Sequence, residues 1–309
     1  MGTTFAVRVV SDALSDRRVA SLRAVIEDAL GDIDQKMSTY RLDSELSRFN
    51  SARSTDPFPV STETLAVFQH ALEISELTGG AFDVTVGPMV DAWGFGPSGQ
   101  PAAFPTDADI ERLQEHVGYQ QLEIDLVAST VRKSDPMLSS DLSALAKGYA
   151  VDRVVELLRA EGLESLLVEV GGEVRTMGRS ERGDAWRVGI ERPVAGPPTV
   201  HRLVRLSDRA LATSGDYRNY YEVGGRRISH TIDPRTGRPV THDLASVSVI
   251  APLCVRADAI ATALEVLGPD EGFAMALAQD WAALLVGRRE DGTLYERETP
   301  AFTAHTDES

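Results

Sequence analysis

Polar and apolar residues alternate over residues 5–10, and the apolar positions that follow, Val19, Leu22, Val25, Ile26, Leu30, Ile33 and Met37, fall on one helical stripe. This pattern predicts a strand and then an amphipathic helix over residues 18–37. Ser61 is placed to cap a second helix with the face Leu65, Phe68, Leu72, Ile74 and Leu77, stopped by Gly79 and Gly80. A short helix over 107–116 and a hairpin of 119–124 with 130–133 come next. A third long helix, 143–161, turns Leu145, Ala146, Tyr149, Val154, Leu157 and Leu158 inward, and a β-branched strand over 166–170 ends at Gly171-Gly172. Strand-like alternation recurs at 186–191, 200–206, 220–223, 227–231 and 245–250, with Gly224-Gly225 as a two-residue hairpin turn. Two helices, 257–267 and 270–279, precede an apolar strand at 282–286. Hairpins mixed with helices in this order predict an α+β body with mainly antiparallel sheets, not a doubly wound parallel sheet. Residues 1–300 read as one domain, 94–105 as a surface excursion, and 301–309 as a disordered tail.

Composition narrows the function. The chain has 309 residues, 42% hydrophobic and 25% charged, as soluble globular proteins do. A formal net charge of −16 argues against a protein that tracks nucleic-acid phosphates, so any anionic ligand must be met by local cations, helix N-termini or a metal. The single cysteine, Cys254, excludes an internal disulfide and a cysteine-built zinc site. No apolar run reaches the roughly 18 residues of a membrane span, and MGTTFAVRVV lacks the regions of a signal peptide. As it stands the chain reads as cytoplasmic, or as an exported protein whose leader is missing.

Four segments carry candidate chemistry. Residues 211–239 are too polar and varied for an ordinary core element, with Thr213, Ser214, Asp216, Arg218, Asn219, His230, Asp233, Arg235 and Arg238 in one stretch. His230 there could act as a general base, although a lone His is more often structural. The segment GGAFDVTVGPMVDAWGFG, 79–96, surrounds Asp83 and Asp91 with glycines and rings that suit a flat ligand, or simply a turn-rich loop. Asp141 precedes a helix with Lys147 one turn in, a setting for an anion, a metal or a plain N-cap. Asp258 and Thr262 share a helical face at i and i+4, where a carboxylate and a hydroxyl offer oxygen ligands to Mg²⁺. There is no GxxxxGK[ST], and Gly171-Gly172 with Gly178 do not make a GxGxxG, which argues against a P-loop or a Rossmann fold.

Taken together and in order, MSTYRLDSELSRFN, GAFDVTVGPMVDAWGFGP, DLSALAKGYAVD, VEVGGEVRTMG, TSGDYRNYYEVGGRRISHTIDPRTGRP and ADAIATALEVLG resemble the ApbE family, the FAD:protein FMN transferases. The resemblance covers essentially the whole domain. It implies a two-lobed fold with a cleft in which Mg²⁺ helps cleave FAD, moving FMN onto a Thr or Ser hydroxyl of an acceptor flavoprotein as a phosphoester and releasing AMP. It further implies that Met1, Tyr40, Ala81, Phe82, Asp83, Asp141, Lys147 and Ile232 line the FAD site. The metal ligands it implies are Asp258, Thr262 and the main-chain carbonyl of Ala144, and the base it implies is His230. Arg235 or Arg238, by charge alone, is expected to steady phosphate oxygens. The competing readings are an FAD pyrophosphatase using water as acceptor and a flavin-binding or trafficking protein without turnover.

Overall fold

The computed structural model describes residues 2–11, 13–101, 103–194, 196–216, 220–223 and 226–306. Met1, Arg218, Asn219 and the Gly224-Gly225 turn lie outside them. Seven antiparallel strands form the central sheet, and their order across it is their order along the chain: β1 (Phe5–Val9), β2 (Leu166–Val170), β3 (Glu173–Met177), β4 (Ala210–Gly215), β5 (Leu244–Ala251), β6 (Ala282–Arg288) and β7 (Leu294–Glu298). Gly171 and Gly172 join β2 to β3 with φ of 62° and 101°, the backbone region that tight hairpins require and glycine tolerates.

Four long helices cover one face: α1 (Asp16–Met37), α2 (Thr62–Leu77), α3 (Ser143–Ala160) and α4 (Cys254–Ala278). Side-chain oxygens of Ser15 and Ser61 accept the N–H of Arg18 and Thr64, capping α1 and α2. The other face is covered by the hairpin Trp186–Glu191 with Val200–Leu206 and by the short helix Pro300–Thr303. Every residue of β5 is buried, because Val247, Val249 and Ala251 face the helices while Ile250 faces the hairpin. A smaller lobe, with helices Gly87–Ala92 and Asp107–Gln114, has its own core of Met89, Ile110 and Val117 closed by Ile232.

The two C-terminal helices expected from the sequence are halves of α4, broken where Gly268 takes φ 80° ahead of Pro269. Other elements went unforeseen. The polar stretch opening at residue 211 begins inside a core strand: β4 runs through its start with Ala210, Leu211 and Ala212 buried, and its alanines carry little strand signal. Helix Glu45–Ser51, capped by Ser44, is too short for a periodic pattern, and strands β3 and β7, EVRTM and LYERE, are too rich in charged residues to read as strands. The tail expected to be disordered is ordered from Ala301 to Thr306: Phe302 is fully buried and Thr306 bridges Val204. Among the described residues no helix is long and apolar enough to cross a membrane.

Candidate active site

Helices α3 and α4 touch at Gly148. A Cβ on Gly148 would stand 2.5 Å from the Cys254 carbonyl oxygen, so only glycine permits this approach. Two carboxylates exploit the contact. Asp152 of α3 accepts the N–H of Cys254 at 3.0 Å and of Val255 at 2.9 Å, satisfying the first turn of α4, whose own N-cap position is Leu253 with no side-chain cap. In return Asp258 of α4, 5% exposed, accepts the Gly148 N–H at 3.0 Å. The α-helical pattern gives that N–H to the Ala144 carbonyl, so carbonyl and carboxylate converge on one donor.

Asp258, Thr262 and Ala144 line a cleft of about 640 Å³, large enough for a nucleotide-sized ligand. A carboxylate, a hydroxyl and a carbonyl make a hard, oxygen-only set with a single charge. Such a set fits Mg²⁺, which completes its shell with waters and phosphate oxygens. Among the described residues no cluster of three His, Cys, Asp or Glu side chains offers a softer alternative. Burial raises the Asp258 carboxyl to about 7, with the Lys147 ammonium opposing the rise. Lys147, despite its own burial, is held protonated above its usual range by Asp258 and Glu173. Its ammonium pairs closely with Glu173 and lies 3.9 Å from Asp258 Oδ1.

The same cleft is lined by Ala81, Phe82 and Asp83, and by His230, Thr231 and Ile232. Both carboxylate oxygens of Asp83 are committed to the backbone around them: Oδ1 accepts from Thr85 N–H at 2.8 Å and Thr85 Oγ1 at 2.7 Å, and Oδ2 accepts from Tyr119 N–H at 2.7 Å. Asp83 therefore holds the Ala81-Phe82 segment in place, and burial raises its carboxyl above the ordinary range. Asp141 Oδ1 accepts the Ser143 N–H at 2.8 Å at the entrance to α3. His230 follows the strand Arg226–Ser229, which pairs with Tyr220–Val223. Its ring meets Phe95 edge-on at 6.2 Å; Phe95 stacks on Tyr221 at 4.6 Å, and the Tyr221 hydroxyl donates to the Gly94 carbonyl at 2.6 Å.

The fold thus brings Ala81, Phe82, Asp83, Asp141, Ala144, Lys147, His230, Ile232, Asp258 and Thr262 to one cleft. Tyr40 is not on its wall; its side chain is 71% exposed. Met1 lies outside the described residues. The phosphate role expected of Arg235 or Arg238 is corrected: Arg235 is paired with Asp233 and Glu271, Arg238 with Asp107, and neither lines the cleft. Arginines in turns beside acids are neutralised locally, which charge counting along a sequence misses. Sequence reasoning also passed over Glu173, the buried partner of Lys147; the only signal was a carboxylate directly after a Gly-Gly turn.

The ApbE family profile matches residues 1–285. The chain is 43% identical over 293 residues to the FAD:protein FMN transferase of Vibrio cholerae serotype O1, across 94% of this chain and 86% of that protein. To the protein of that name in Escherichia coli K12 it is 39% identical, across 94% and 83%. The solved structure of the flavin transferase ApbE from Vibrio cholerae is similar with a TM-score of 0.89 and 40% identity, covering 99% of this chain and 96% of that one. The crystal structure of Pseudomonas stutzeri flavinyl transferase ApbE, apo form, is equally similar, with a TM-score of 0.89 at 38% identity across 99% and 94%. With a family profile spanning most of its length and relatives this similar over nearly all of it, the chain belongs to the ApbE family.

Proposed function

We propose that the protein transfers FMN from FAD to a Thr or Ser hydroxyl of an acceptor flavoprotein, forming a phosphoester and releasing AMP. The observation that carries this reading is the convergence on one cleft of the oxygen donors Asp258, Thr262 and Ala144 with His230. Asp258, Thr262 and the Ala144 carbonyl would hold Mg²⁺, which neutralises charge on the pyrophosphate when bound. Lys147 supplies a fixed positive charge beside those donors. Phe82, held from behind by Asp83, offers an apolar wall to the ligand.

In the transfer the acceptor oxygen attacks the phosphorus of the FMN half. The bond from that phosphorus to the bridging oxygen breaks, and AMP leaves with the bridging oxygen. His230 takes the proton of the attacking hydroxyl onto a ring nitrogen. The negative net charge of the chain is no obstacle, because a divalent cation held beside Lys147 would meet the anionic ligand locally.

Incubating the protein with FAD, Mg²⁺ and a candidate acceptor flavoprotein tests this directly. Covalent FMN fluorescence on the acceptor with matching AMP release is the expected result. Free FMN and AMP with an unlabelled acceptor would instead assign the cleft to hydrolysis, and FAD binding without AMP would assign it to carriage.

A further inference from the structure

Glu173 is 2% exposed and opens β3 at the floor of the cleft. A buried carboxylate needs partners for both oxygens. Oε2 accepts the Thr213 N–H of β4 at 3.1 Å, and Oε1 receives the Lys147 ammonium. The backbone bond fixes the carboxylate to the sheet, so the place of the ammonium is set by β3 and β4 and not by the flexible lysine stem. There Nζ stands 3.9 Å from Asp258 Oδ1, short of a hydrogen bond. Without Glu173 the ammonium would have one nearby buried anion left, and a charge-assisted bond to Asp258 would close the gap. An ammonium seated on Asp258 occupies a carboxylate oxygen and repels any divalent cation approaching it.

We infer that Glu173 is a positioning residue that draws Lys147 off Asp258 and so keeps the Asp258 carboxylate open to a divalent cation. This rests on the proposed metal role of Asp258. It assigns Glu173 no contact with the cation or with FAD, and it separates geometry from charge, since a negative group anywhere nearby would also favour a cation.

Titration calorimetry of Mg²⁺ alone into the FAD-free protein tests it, with wild type, Glu173→Gln, Lys147→Gln and the double variant. Glu173→Gln is expected to weaken Mg²⁺ binding about tenfold, and to change it by less than about twofold once Lys147 is already Gln. Equal weakening in both backgrounds means that Glu173 acts by charge alone and overturns the inference, as does unchanged affinity in the single variant. Glu173→Asp keeps the charge but withdraws the carboxylate by one methylene, so it is expected to weaken binding too; wild-type affinity there also overturns it. This variant carries the test if Glu173→Gln does not fold, which thermal melting of the metal-free proteins reports. Asp258→Asn is expected to abolish Mg²⁺ binding. Undiminished binding in that variant sinks the metal reading itself, a result distinct from failure at Glu173.

Discussion

The two walls of the cleft are built in opposite ways. The wall of α3 and α4 is made of long buried helices locked by reciprocal carboxylate-to-backbone bonds, Asp152 to Cys254 and Val255 and Asp258 to Gly148. The wall that carries His230 is a two-stranded hairpin outside the main sheet; among the described residues it meets the loop after Trp93 through the Phe95–Tyr221 stack and the bond from the Tyr221 hydroxyl to the Gly94 carbonyl. A two-stranded ribbon has little stability of its own and depends on what it packs against. One wall is thus fixed with the fold. The other rests on a hairpin whose stability depends on its surroundings, which suits a site that must admit both a nucleotide and a protein segment.

This contrast can be broken from either side. The largest effect is expected at Asp258→Asn, about a thousandfold loss of FMN transfer measured as kcat/KM, since the only charged member of the proposed metal set goes. Because burial disfavours the Asp258 carboxylate, the same substitution should leave the melting temperature of the metal-free protein unchanged or raised, so activity and stability part company. Gly148→Ala should cost about 3 kcal/mol in chemical denaturation, because its Cβ meets the Cys254 backbone, which cannot turn aside as a side chain can. A loss below about 0.5 kcal/mol would mean that the helix contact is softer than its geometry.

On the other wall, His230→Ala should lower kcat about a hundredfold with FAD affinity within a few-fold and stability nearly untouched. Wild-type turnover in that variant ends the general-base assignment. The smallest effect is expected at Tyr221→Phe, which removes the hydroxyl bond to Gly94 while keeping the ring stack: about 1 kcal/mol, read as faster amide exchange confined to the hairpin. Global destabilisation from Tyr221→Phe would show that the hairpin is as firmly built as α3 and α4, and the contrast would fall.

Legibility in the sequence follows the same division. The long helices were readable because a buried face repeats every three or four residues, as in Leu22, Ile26, Ile33 and Met37 of α1. The break in α4 was readable because Gly268-Pro269 cannot continue a helix. Strands β3 and β4 were not, since EVRTM and ALATSG mix polar and small residues that serve the cleft on one face and the core on the other. Most residues that line the cleft were named through motif resemblance; Arg235 and Arg238, named by charge alone, bond instead to Asp233, Glu271 and Asp107.

By itself the sequence determined the mixed, antiparallel α+β body, its helical faces and the residues able to bind oxygen-rich ligands, because these depend on local periodicity and side-chain chemistry. Only the tertiary structure decided that Lys147 lies between Glu173 and Asp258, and that Gly148 lets α4 come close enough for Asp258 to reach α3. Lys147 and Glu173 are 26 residues apart and Gly148 and Asp258 are 110 apart. Periodicity tells which side of an element is buried; it does not tell which distant element will bury it.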